Sequence, residues 1–296
     1  MPNRSVFGST WLPYLLVLPQ LLIVFIFFYW PTMRGLWWSF TIEQPFGGGS
    51  VFVGLENFAL LFSNPEYHQS IRVTAIFVTV CTALAMASGL TLAFMADRNL
   101  KGTRFMRPLL IWPYAVAAPA AAIAFHFIFN PAVGYAGLVN SIFGWKIWNP
   151  DLDGFDALIL IIICAAWKSV AYNFLFLLAG FQALPASLLE AAALDGSGPL
   201  RRFRDIQLPL LGPTLFFLTV VNVTDFFTDS FGIVHVMTGG GPGGSTNVMV
   251  HKIYADGFIG LDLSGSAAQS LVLMAIVIIL TILQFRLVER RVHYAG

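Results

Sequence analysis

A chain of 296 residues that is 57% hydrophobic and only 10% charged, with a mean hydropathy of +0.77, has too few charges to cover a water-soluble domain of this size. Its 16 basic and 15 acidic residues leave a net charge of +1, which gives no global field to attract nucleic acid. Two cysteines, Cys81 and Cys164, each sit in an apolar run and are expected to be small core residues, not a disulfide framework or a metal site.

The pattern predicts an all-α integral membrane protein with six spans. The first, about 11–31, is long enough to cross ~30 Å of hydrocarbon as a helix. Only Arg4 precedes it, and it is too long for a signal core, so no cleavable leader is expected. Trp11, Tyr14, Tyr29, Trp30, Trp37 and Trp38 suit an interface that is apolar on one side and wet on the other. A turn-rich polar connection follows, with PFGGGS at 45–50 and FVGLENF at 52–58. The second span, 73–96, has 24 residues without a charge, between Arg72 and Asp97. A basic loop, DRNLKGTRFMR, leads to a third span at 108–129, which contains Pro113, Pro119 and the small-residue run AVAAPAAAIA, where helices can approach closely. After a connection with Trp145 and Trp148, the fourth span runs 156–181, with Lys168 inside it. The fifth is expected at 208–236, then a glycine-rich connection, TGGGPGGST, and the sixth at 263–285.

An even count puts both termini on one side. Eleven basic residues share that side (Arg4, Arg98, Lys101, Arg104, Arg107, Arg201, Arg202, Arg204, Arg286, Arg290 and Arg291), against four opposite (Arg34, Arg72, Lys146 and Lys252). The positive-inside tendency therefore predicts cytoplasmic termini and a cytoplasmic stretch at 187–213.

That stretch, SLLEAAALDGSGPLRRFRDIQLPLLGP, is a polar interruption between two apolar segments. Ser187 and Glu190 have capping-box spacing. Asp195 and Gly196 are expected to end the first short helix, with Gly196 left-handed, and Pro199 to start a second through Arg201, Phe203 and Ile206. From the residues alone, an ordinary loop with solvated arginines remains open. Glu190-Ala191-Ala192, Asp195-Gly196, Phe203, Ile206, Leu208-Pro209 and Pro213 nevertheless match the EAA signature of binding-protein-dependent ABC importer permeases, with Ser197 where alanine is commoner. The chain thus resembles that family.

The resemblance implies a type I importer permease, a single permease domain over 1–296 with a coupling helix between spans 4 and 5. It implies that Glu190, Ala191, Ala192, Asp195, Gly196, Phe203, Ile206 and Pro209 couple to an ATPase. Implied partners are a second permease, forming a heterodimer, two copies of a cytoplasmic ATPase, an extracytoplasmic solute-binding protein and the bilayer of a bacterial inner membrane. The chain has no GxxxxGK[ST] phosphate loop, so ATP and Mg are expected on the ATPase, with no cofactor, metal or enzymatic activity here. LPYLLVLPQLLIVFIFFYWP, FVGLENF and MTGGGPGGSTNVMVHKIYADGF resemble carbohydrate-uptake permeases of the maltose-porter type. RFMRPLLIWPYAVAAPAAA, WKSVAYNFLFLLAGFQALPASLLEAAALDGSGPLRRF and GFIGLDLSGSAAQSLVLM are similar to the sn-glycerol-3-phosphate permeases within it. That implies sn-glycerol 3-phosphate as cargo, with glycerophosphodiesters or another sugar or polyol as alternatives.

Polar residues inside spans are costly against lipid. Lys168, Asn173, Asn222, Asp225 and Asp229 are expected either to satisfy one another or the interface, or to line the path, with Lys168 the better candidate for phosphate. The five histidines lie in different segments, which argues against a shared metal site. Residues 238–242 read either as an external turn or as part of the entrance surface. An ion-coupled transporter would need internal repeats, and a lipid-modifying enzyme would need a catalytic cluster at one interface; the sequence offers neither.

Overall fold

The computed structural model describes residues 11–43, 48–98, 103–144 and 148–288. Arg4, Lys101, Trp145, Lys146, Arg290, Arg291 and His293, and the side chains of Arg104 and Arg107, fall outside the description. In chain order the helices are α1 (Leu12–Trp38), α2 (Glu56–Ser63), α3 (Pro65–Asp97), α4 (Thr103–Ala115), α5 (Ala118–Ile128), α6 (Tyr135–Phe143) and α7 (Gly154–Gln182). There follow α8 (Ala186–Leu194), α9 (Pro199–Leu210), α10 (Gly212–Thr228), α11 (Phe231–Met237), α12 (Met249–Tyr254) and α13 (Leu263–Val288). Among the described residues four helices are long and apolar enough to cross a membrane alone, and two bent pairs raise the number to six if each pair is one span.

The bent pairs depart from the predicted continuous spans. The third span is two helices, α4 and α5, meeting at 107°. Pro119 has no N–H to donate, and in a continuous helix its ring would strike the carbonyl four residues back. Ala117 is instead extended (φ −58°, ψ 140°) and Pro119 sits in the first turn of α5, where its missing donor is harmless. The segment expected at 208–236 is likewise divided. It joins α9 and α10 at a 67° bend, with prolines at 209 and 213 on either side of Leu211, and α10 ends at Thr228 before the separate α11.

By the density of their internal contacts the residues fall into two units. Residues 1–63 and 253–272 form the first, where α1 buries none of its side chains. The connection read as a turn-rich loop contains a strand pair, β1 (Thr41–Glu43) against β2 (Ser50–Phe52), antiparallel with Ile42 opposite Val51. Asn57 locks it by donating through Nδ2 to the carbonyls of Ser39 and Thr41, both at 2.9 Å. The Glu43 N–H donates to Ser264 Oγ at 2.8 Å. Three-residue strands carry too little periodicity to be seen in a sequence.

The second unit, residues 64–252 and 273–296, is organised around the packing of α3 against α7. Tyr67, Phe77, Cys81, Ala85 and Ala93 of α3 are buried, as are Leu160, Ile161, Cys164, Phe174, Leu177 and Phe181 of α7. Both cysteines are free thiols. Lipid tails are as apolar as these side chains, so close packing holds the helices together, more than removal from water. Gly89 sets the approach: a Cβ there would lie 2.7 Å from Asn173 Cβ and 3.1 Å from the Phe174 nitrogen. Gly89→Ala should force α3 from α7 and destabilise the protein by ~1–3 kcal/mol. An unchanged melting temperature in detergent would refute the close-approach role.

Candidate functional site

Two regions of the second unit gather the residues singled out by sequence. The first is α8 and its continuation. Pro185 holds the position before the helix, extended at φ −61°, ψ 118°, and supplies no side-chain cap. The Ser187 capping box is therefore not formed, because the helix begins at Ala186 and places Ser187 inside the first turn. The other end follows expectation. Gly196 is left-handed at φ 77°, its N–H donates to the Ala193 carbonyl at 3.1 Å, and the Ser197 N–H donates to Ala192 at 2.9 Å. This pair of bonds is a Schellman motif, which satisfies the carbonyls a helix end leaves open. Pro199 then opens α9, with Gly198 as its cap.

Ser187, Glu190, Ala191 and Leu194 share one helical face, and all are exposed, Leu194 at 90%. Asp195, Gly196 and Pro209 are also exposed, while Ala192, Phe203 and Ile206 are half-buried. Arg202 Nη1 donates to the Leu189 carbonyl at 3.4 Å, tying α9 to α8. Arg201 and Asp205 pair at 3.5 Å across one exposed turn, a contact worth little in water. The stretch is thus a short, capped helix standing clear of the bundle.

The second region is a cavity of about 460 Å³ whose walls include Tyr114, Lys168, Ser169, Tyr172, Asn222, Asp225, Asp229 and Ser230. Its volume falls within the ~300–1,000 Å³ of small-molecule sites. Asp225 and Asp229, four residues apart at the end of α10, are both exposed. Tyr114 and Tyr172 stack with centroids 6.3 Å apart. Lys168 Nζ donates to the carbonyl of Val116, at the break between α4 and α5, and takes part in no ion pair among the described residues. Inside a membrane a carbonyl released by a helix break needs another partner. Lys168 supplies it, and an ammonium has further N–H groups to spare.

Asn173 does not line this cavity. It is fully buried and exchanges two hydrogen bonds with Asn222, Nδ2 to Oδ1 at 3.0 Å and 2.8 Å. Each amide also donates to the carbonyl four residues earlier in its own helix, Ser169 and Leu218. The pair is a clamp between α7 and α10, with Asn222 also touching the cavity wall. Ser230, not singled out from sequence, is buried with an Oγ that has no hydrogen-bond partner. Its position beside Asp229 was the only available hint.

The glycine-rich connection is tied in place. Thr238 and Thr246 hydroxyls meet at 2.7 Å, Thr246 donates to the Gly241 carbonyl at 2.7 Å, and Gln69 Nε2 donates to Gly243 at 3.2 Å. Gly240, at φ 85°, leaves only enough room for His251, whose ring would lie 3.0 Å from an added Cβ. Two of the scattered histidines meet here, His235 and His251 with centroids 5.6 Å apart. Burial, with the neighbouring His235 adding to it, holds the His251 pKa below its ordinary value. Below about pH 6.5 the unfolded chain therefore takes up a proton that the folded form resists, and stability falls as pH drops. Melting temperature should decline between about pH 7 and about pH 5.5, and His251→Gln should flatten that slope; an equal slope in the variant would refute it.

Residues 85–294 match the family model described as "Binding-protein-dependent transport system inner membrane component". The chain is 52% identical to the sn-glycerol-3-phosphate transport system permease protein UgpA of Rhizobium meliloti, covering 99% of each. It is 50% identical to the protein of the same name from Brucella abortus biovar 1, covering 99% of this chain and all of that one. Among solved structures it resembles a chain of a bacterial ABC transporter involved in the import of the acidic polysaccharide alginate, at a TM-score of 0.84 and 20% identity, over 95% of this chain and 96% of that one. The MetNI methionine ABC transporter, in inward-facing form, matches at a TM-score of 0.53 and 14% identity, over 77% of this chain and 97% of that one.

Proposed function

Because the chain belongs to the binding-protein-dependent transport system inner membrane components, we propose that it is one half of the translocation path of an ABC importer for sn-glycerol 3-phosphate. A second permease completes the path, two copies of a cytoplasmic ATPase bind and hydrolyse Mg-ATP, and an extracytoplasmic binding protein delivers the solute. Hydrolysis belongs to the ATPase, so this chain acts by changing shape. Both termini and α8 face the cytoplasm, in keeping with the basic residues on that side, among them Arg98, Arg201, Arg202, Arg204 and Arg286.

The observation that carries the reading is α8: a capped helix of nine residues, exposed along its outer face and bearing the Glu190 signature. Seated in a groove of the ATPase, it turns closure of the ATPase pair into rigid-body displacement of the helices behind it. The cavity supplies the complementary chemistry. A phosphate is drawn to the remaining N–H groups of Lys168, while Asp225 and Asp229 repel it and accept hydrogen bonds from glycerol hydroxyls, which orients the solute. Glu190, Ala191, Ala192, Asp195 and Gly196 meet the ATPase; Phe203, packed against Phe94 and Phe181, joins the stretch to the membrane bundle, and Ile206 and Pro209 complete the coupling stretch.

The test is reconstitution of the complete importer with its binding protein in vesicles. ATP hydrolysis should be stimulated by sn-glycerol 3-phosphate; glycerophosphodiesters and maltose serve as comparisons. Stimulation by maltose alone would overturn the substrate, and uptake independent of ATP would overturn the importer.

A further inference from the structure

We propose that Phe94, on α3, is the joint through which displacement of α8 and α9 reaches the second span as well as the fourth, a role that rests on the importer reading above. Three rings from three helices meet at this point. Phe203, in the π-helical turn of α9, has its centroid 4.5 Å from that of Phe94 and 6.4 Å from that of Phe181 on α7. Phe94 and Phe181 are 6.2 Å apart, and the Arg98 guanidinium lies 4.0 Å from the Phe94 centroid.

Aromatic rings have few rotatable bonds, and a close-packed interior transmits displacement instead of absorbing it. Behind the rings lie Ala93, Leu177, Leu178 and Leu211, all buried in the same cluster. In front, Arg202 binds the Leu189 carbonyl, so that α8 and α9 move together. A push on α8 therefore has a stiff route into α3 and α7 at once. These two helices are the packed pair at the centre of the unit, and α7 carries Lys168 into the cavity wall. A space of about 370 Å³ opens on the side of Phe94 away from this cluster, lined by Phe94, Asp97, Arg98, Leu189 and Gln207 among others, so the stiff contacts are those with Phe203 and Phe181. Phe94 is not among the residues lining the 460 Å³ cavity, and the role proposed for it is that of a positioning residue.

The experiment measures solute moved per ATP hydrolysed in the reconstituted importer. Phe94→Leu keeps the volume apolar and should leave ATPase association and hydrolysis near the parent level, while solute moved per ATP falls by about tenfold, a common size for coupling between sites. Phe94→Tyr, which keeps the ring, should restore the ratio. Phe203→Leu should lower the ratio in the parent and add little in the Phe94→Leu background, because the two act through one contact. A merely destabilised complex would lose transport and hydrolysis in parallel and keep the ratio, which would overturn the proposal, as would additive effects of the two variants. If the parent complex itself shows no ATP-driven uptake, it is the importer reading that fails.

Discussion

Gly196→Val is expected to weaken association with the ATPase by about 5–30-fold, because a β-branched residue in the left-handed region costs ~1–2 kcal/mol. The residue has φ 77°, and a Cβ there would meet nothing within 4 Å, so the penalty comes from the backbone and not from a clash. Two hydrogen bonds depend on that conformation, those that close α8 onto Ala192 and Ala193. Without them the last turn frays, and the exposed face formed by Ser187, Glu190, Ala191 and Leu194 loses its fixed geometry. Gly196→Asn should behave almost as the parent, since asparagine tolerates the left-handed region. Titration of the purified permease pair with the ATPase reads the difference directly. If the valine variant bound as tightly as the parent, the ordered end of α8 would have no part in docking.

The second large effect is expected at Lys168, where two roles can be separated. Lys168→Met leaves the Val116 carbonyl without its partner, at ~1–3 kcal/mol, and removes a cation from the cavity. Uptake should fall by more than about tenfold with the subunits still assembled. Lys168→Gln can still donate to Val116 but carries no charge. It should recover the melting temperature of the parent while uptake stays low. Uptake near the parent level in the glutamine variant would show that Lys168 acts only as a stitch across the α4–α5 break and not in holding phosphate.

The membrane-spanning stretches were readable in outline because hydropathy is a sum over neighbouring residues. Where an expected span proved bent, prolines already stood beside the break, Pro119 in one pair and Pro209 and Pro213 in the other, while Pro113 lies inside α4; what could not be read was whether each proline would kink its helix or divide it. A proline inside a span is tolerated when neighbours satisfy the freed carbonyls, and for α4–α5 that neighbour, Lys168, is 52 residues away. The capping box failed for a local reason, since Pro185 moved the helix start ahead of Ser187. Asn173 and Asn222 were recognised as polar residues that lipid would reject, yet their mutual satisfaction depends on the rotation of α7 against α10. Phe94 gave no signal at all among 28 phenylalanines.

By itself the sequence determined the membrane class and the short helix of the Glu190–Pro213 stretch with its Gly196 stop and Pro199 start, and it set the expectation that the basic loops share one side. These depend on hydropathy, charge and backbone preference, which act within a few residues of where they are written. Only the tertiary structure decided that Lys168 meets Val116, that Asn173 is withdrawn from the cavity while Ser230 lines it, and that Phe94 receives Phe203. Such pairings are set by how helices cross and rotate, and helices buried on several sides carry apolar residues all round, so their sequence leaves the direction of each side chain open.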